Sequence, residues 1–130
     1  MPRSIRLHPH FWLAAPLLLS LGCGAGQTGR PADPAQAQQA LNAVLDAWKR
    51  GEPPDTLARW TPPIHVSDLD WAGGLRLERY QADQSGRLVG FDMNYPVVLQ
   101  LKGPRGKALT KKAVYTVSTQ PELLVLRQEN

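Results

Sequence analysis

Apolar and polar positions follow two different rhythms along this chain. Between Pro34 and Arg50, the residues Ala37, Leu41, Val44, Leu45 and Trp48 recur every three or four positions, which places them on one stripe of an α-helix. From Val89 to Leu101 every odd position is apolar (Val89, Phe91, Met93, Tyr95, Val97, Leu99, Leu101), with Asp92, Asn94 and Gln100 among the residues between. A period of two predicts one long strand with a buried and an exposed face.

Local signals give these elements their ends. Asp33 is placed to cap the helix, Pro34 to open it and Gln36 to complete a capping box, while Lys49, Arg50 and Gly51 suit its C-terminus ahead of Pro53 and Pro54. Residues 54–60 predict a short second helix that turns Leu57 and Trp60 inward, and Thr61-Pro62-Pro63 stops it. Ile64-His65-Val66 predicts a brief strand. Ser67 with Asp70 three residues later predicts a capped helical turn over 67–72, ended by Gly73-Gly74. Leu75 and Leu77 alternate with charged residues, and Tyr80 falls out of phase, as it would after a bulge. Ser85-Gly86 is a turn signal. Pro96 predicts a hydrogen-bonding edge that is free or bulged at that point of the long strand. Gly103-Pro104-Arg105-Gly106 is a hairpin loop, Ala113, Tyr115 and Val117 share a strand face, and Gln120-Pro121 turns into a last strand, Leu123 to Arg127.

One long helix followed by strands is an α+β layout. The helix stripe and the odd face of the long strand must cover each other, with Val44 and Trp48 against Phe91, Met93 and Tyr95. The expected fold is a long N-terminal helix on a curved four-stranded antiparallel meander, forming a single domain over residues 33–130. The order of elements resembles the cystatin-like group, above all the nuclear-transport-factor-two-like fold, in which a curved sheet wraps one long helix. The runs Ala47-Trp48-Lys49-Arg50-Gly51, Pro62-Pro63-Ile64-His65-Val66 and Asp70-Trp71-Ala72-Gly73 also resemble a group of small bacterial envelope proteins, a resemblance that implies no activity. The Gln-x-Val-x-Gly signature of the inhibitory cystatins does not occur in the sequence.

The N-terminus carries an address. Arg3 and Arg6 precede an apolar stretch from Phe11 to Leu21, and Gly22-Cys23 follows it, the layout of a secretory signal. Ending on Gly-Cys, it resembles a bacterial lipoprotein signal, with Ser20 and Leu21 in the reverse of the usual leucine-then-small order. That resemblance implies removal of residues 1–22 and acylation of Cys23, with palmitate among the expected chains. The bland alternative is ordinary secretion with a cut beyond Cys23. The apolar run is about half of the roughly 20 residues a membrane-spanning helix needs, and Pro16 interrupts it. Residues 23–32, Gly-rich with Arg30 as their one charge, predict a flexible tether. The expected location is the bacterial cell envelope, on a membrane and facing the periplasm or the exterior.

Cys23 is the sole cysteine, so neither a disulfide nor a cysteine metal site is available to the folded part. Loss of Arg3 and Arg6 with the signal lowers the formal net charge of +4 by two. The cluster of Arg105, Lys107, Lys111 and Lys112 then reads as a solvated edge, and no nucleic-acid partner is expected.

Few residues suggest chemistry. His65 is the one histidine beyond the signal, and a histidine oriented by a carboxylate such as Asp92 can act as acid and base. Alternation turns Asp92 away from the helix, however, which separates it from His65. Asp68 and Asp70 read as a helix-capping pair rather than metal ligands, and Arg76 and Arg79 as outward charge. Trp48, Trp60 and Trp71, with His65 and Tyr115, are the candidate lining of an apolar ligand pocket, although tryptophans in a small domain more often build its core. No metal and no cofactor are expected. The expected function is a lipid-anchored envelope module that binds an envelope protein or small ligand, or plays a structural part, without catalysis. The alternative is a small cone-fold enzyme using His65 and Asp92 on a compact organic substrate.

Overall fold

A computed structural model describes residues 29–129. The signal segment, Cys23 and the first part of the expected tether lie outside the described residues. Helix α1 (Pro34–Lys49) leads through a 3₁₀ turn (Pro54–Arg59) to strand β1 (Ile64–Ser67) and the one-turn helix α2 (Leu69–Ala72). Strands β2 (Arg76–Ala82), β3 (Arg87–Val89), β4 (Asp92–Lys102), β5 (Ala108–Ser118) and β6 (Leu123–Arg127) complete the chain.

The cap of α1 is built as the sequence indicates on one side and differently on the other. The Asp33 side chain accepts from the Gln36 backbone N–H at 3.0 Å. The Asp33 N–H, which a capping box would give to the Gln36 side chain, instead donates to Thr119 Oγ1 at 3.0 Å. Thr119 is buried in the turn between β5 and β6, so a group fixed by the sheet takes the place of an exposed, flexible glutamine.

The domain is α+β, an N-terminal helix on a strongly curled six-stranded mixed sheet that forms a half-barrel. Strands run in the order β1-β6-β5-β4-β2, with β3 also paired to β4. This corrects the expected four-stranded antiparallel meander in two respects. First, β1 joins the sheet edge parallel to β6, Ile64 opposite Leu123 through Ser67 opposite Leu126; a four-residue run carries no signal of its direction. Second, the odd-position run that begins at Val89 is two strands. A two-residue turn at Gly90-Phe91, with Gly90 at φ +63°, reverses the chain, and a glycine at the first turn position suits such a hairpin. Val89 then pairs with Asp92 and Leu88 with Met93. Cross-strand partners share a face, so Val89 lies with Asp92 rather than with Met93. Val89 and Phe91 are therefore exposed, at 50% and 58%, and Phe91 does not cover the helix.

Other local readings hold. Pairing shifts between Leu77 and Arg79, leaving Glu78 as the bulged residue and Tyr80 out of phase. Pro96 stands where the neighbour of β4 changes: β2 ends opposite Val97, β3 begins opposite Asn94, and the Pro96 carbonyl accepts from the Asp83 N–H at 2.9 Å. In an antiparallel strand the N–H and C=O of one residue point the same way, so the missing donor of Pro96 faces the 83–86 turn and disrupts no ladder bond. That turn also needs Gly86: φ is +57°, and a Cβ there would lie 2.5 Å from a Tyr95 ring carbon.

The α1 stripe (Ala37, Leu41, Val44, Leu45, Trp48) is buried in one core with Met93, Tyr95, Val97, Leu99 and Leu101 of β4 and Tyr115 and Val117 of β5. The helix packs on β2, β5, β6 and β1, which closes the concave side of the sheet.

Candidate functional site

Two arrangements around α2 gather polar or aromatic side chains. The first is built on α2. Asp68, not Ser67, is its N-cap: Asp68 Oδ1 accepts from the N–H groups of Asp70 (3.0 Å) and Trp71 (3.2 Å). The same carboxylate reaches across to the sheet. Its Oδ2 accepts from the Tyr115 hydroxyl, and Oδ1 from Arg127 Nη1 at 3.2 Å. Arg127 also pairs with Asp70, and Asp70 receives Lys111 Nζ on both oxygens, at 3.1 and 3.0 Å.

Strand pairing explains the convergence. Tyr115 stands opposite Arg127 in the β5–β6 register, and Lys111 lies on the same face of β5 four residues earlier, where the core stripe of Ala113, Tyr115 and Val117 runs out to the rim. The Asp68 side chain is 1% exposed and that of Arg127 13%, so the pair is strengthened by exclusion of water and depends on every group being paired.

The electrostatics follow. Burial pushes the Asp70 carboxyl up, but hydrogen bonds from Lys111 and Arg127 and their positive charges outweigh it and hold Asp70 below the usual carboxylate value. Burial, with the charge and hydrogen bond of Asp68, holds the Tyr115 phenol far above its ordinary value, so it remains a neutral donor. Burial lowers the Arg127 value while Asp70 and Asp68 raise it, and the raising prevails. No buried side-chain nitrogen or oxygen among the described residues lacks a partner. This cluster fastens α2 to β5 and β6.

The second arrangement is aromatic. Trp48 and Trp71 are stacked. The Trp48 indole N–H donates to the Leu75 carbonyl at 2.8 Å, and that of Trp71 to the Glu52 carbonyl at 2.9 Å, so each ring ties its own segment to the other's. A cleft of about 380 Å³ lies beside them, lined by Trp48, Glu52, Pro53, Trp71, Leu75 and Arg76, among others.

The remaining candidates lie elsewhere. Trp60 follows the 3₁₀ turn and is exposed, so of the pair expected to turn inward only Leu57 is buried. Tyr115 is buried beneath α2 with Asp68. His65, on edge strand β1, is about half exposed and faces Glu122, with Nε2 to Oε2 at 3.6 Å. Asp92 opens β4, and strands β6 and β5 stand between it and the strand of His65. Trp48 and Trp71 thus share a cleft, while Trp60, His65 and Tyr115 do not line it. Arg79 bonds Gln100 across the outer face at 3.1 Å, and Arg76 borders the tryptophan cleft.

Sequence reasoning did not find Arg127 and Lys111. They lie 59 and 41 residues from their aspartates, and the alternation of β5 and β6 was the signal that would have set Lys111, Tyr115 and Arg127 on one face. No protein family, curated protein or solved structure matches the chain.

Proposed function

We propose that this chain is a lipid-anchored bacterial cell-envelope domain, held through acylated Cys23 and facing the periplasm or exterior. On this reading it binds an envelope protein or small ligand, or holds position in an assembly, and turns over no substrate. The anchor rests on Arg3, Arg6, the apolar run from Phe11 to Leu21 and Gly22-Cys23. We read the helix clasped by a curled sheet as a member of the cystatin-like, nuclear-transport-factor-two-like layout, with the parallel β1–β6 pair as its departure from a plain meander.

The observation that carries the non-catalytic part is the occupancy of Asp68. This most enclosed of the cluster's carboxylates accepts from two backbone N–H groups, Tyr115 and Arg127. A catalytic acid or base needs a free position toward substrate, and Asp68 has each oxygen engaged within the fold. The alternative pair, His65 and Asp92, belongs to strands separated by two others, and His65 is turned to Glu122.

The test is incorporation of labelled palmitate during expression in a bacterium. The wild-type chain is expected to take up label and partition into detergent. Cys23→Ser is expected to do neither, because the additional chains of a fully acylated cysteine are what make attachment stable. Equal labelling of the Cys23→Ser variant would remove the anchor from this account.

A further inference from the structure

The β3–β4 hairpin places Leu88, Val89 and Phe91 in solvent, each at least half exposed. Leu88 shares a face with Met93 and Val89 the opposite face with Asp92, so with Phe91 in the turn they make the hairpin tip apolar on both sides, and exposed apolar clusters mark interaction surfaces. Phe91 is not part of the buried core.

The route of the chain indicates what this patch meets. The described residues begin at Gly29, whose backbone lies against the Phe91 ring: a Cβ there would be 3.3 Å from its ring carbons. Three residues on, the Ala32 N–H donates to the Phe91 carbonyl at 2.8 Å. The segment that connects Cys23 to the domain therefore enters across this hairpin tip. Cys23 stands six positions before Gly29, and even a fully extended chain spans no more than about 22 Å over that distance. The β4–β5 turn at the other end of the 11-residue strand β4 is about 35 Å away along that strand. An acylated Cys23 can thus hold the Phe91 end at a bilayer but cannot bring the opposite end there without turning the domain over. Arg30 and Arg87 are offset nearby in sequence by Asp33 and Asp92, so the tip relies on apolar side chains rather than on charge.

We propose that Leu88, Val89 and Phe91 seat in the lipid surface to which Cys23 is attached, fixing the orientation of the domain on its membrane. Shallow insertion of apolar and aromatic side chains at the headgroup boundary, beside a covalent lipid, is a two-part attachment of the kind that stabilises peripheral proteins. This inference rests on the anchored reading above.

The experiment uses the acylated chain, whose Cys23 thiol is then unavailable, carrying either Val89→Cys or Lys107→Cys labelled with an environment-sensitive fluorophore. The protein is reconstituted in phosphatidylethanolamine–phosphatidylglycerol vesicles that contain nitroxide-bearing acyl chains. Quenching is expected to be several-fold stronger at position 89 than at 107. Adding Leu88→Ser and Phe91→Ser should reduce it to the level at 107 while flotation with the vesicles is unchanged. Equal quenching at the two positions, or quenching at 89 that survives the serine substitutions, overturns the proposal. Protection of the label from aqueous iodide without nitroxide quenching would assign the patch to a second copy of the chain and overturn it as well. Failure of the protein to float would instead remove the anchor, and this inference with it.

Discussion

The indole rings of Trp48 and Trp71 stack with centroids 5.6 Å apart and planes 13° from parallel. Trp48 ends the buried stripe of α1 and Trp71 is the buried face of α2, so this one contact joins the long helix to the short one. Each ring also donates to a backbone carbonyl beside the other, which fixes the orientation of the pair.

Trp48→Ala is expected to destabilise the domain by about 3–5 kcal/mol, the range for deleting a large core aromatic. A double-mutant cycle with Trp71→Ala, read by urea unfolding, should show non-additivity of about 0.5–1.5 kcal/mol, as for other aromatic pairs. Strict additivity would mean that the stack contributes nothing beyond burial of each ring.

The Asp68 cluster gives graded outcomes. Tyr115→Phe takes one donor from a buried carboxylate and should cost about 1.5–3 kcal/mol. Asp68→Ala leaves Arg127 without one carboxylate and α2 without its cap, and should cost about 3–5 kcal/mol. Equilibrium unfolding that ranks Tyr115→Phe above Asp68→Ala would contradict the hub role given to Asp68.

Acid should weaken the attachment of α2. A carboxylate held below its ordinary value in the folded state contributes stability that is fully present above the unfolded value and lost as pH falls through the folded one. For Asp70 the unfolded reference is 3.8. Stability curves of wild type and Asp70→Asn should therefore be separated at neutral pH and converge below pH 3.8. Curves that stay parallel into acid would show that the ion pairs with Lys111 and Arg127 do not contribute.

The elements whose residues interact locally were legible in the sequence. The Asp33 cap, the α1 stripe, the bulge before Tyr80 and the last strand depend on neighbours a few residues away, and each stands where its pattern indicates. Long-range pairing was not legible. The parallel seating of β1 on β6 and the meeting of Asp68 with Arg127 depend on register between distant segments. The run through Phe91 misled because apolar alternation continues across a two-residue turn, although the turn reverses which face each residue occupies; Gly90 was the available signal. Of the aromatic candidates, Trp48 and Trp71 share a cleft because their rings stack between α1 and α2, whereas Trp60, His65 and Tyr115 belong to separate parts of the sheet and its approaches.

The central claim is that Cys23 begins the mature chain and carries the lipid. The most direct measurement is the mass of the N-terminal peptide of the protein recovered from bacterial membranes. The account predicts a peptide that starts at Cys23 and carries the added mass of fatty acyl chains. A mature chain that starts beyond Cys23, or at Cys23 with an unmodified thiol, would contradict it.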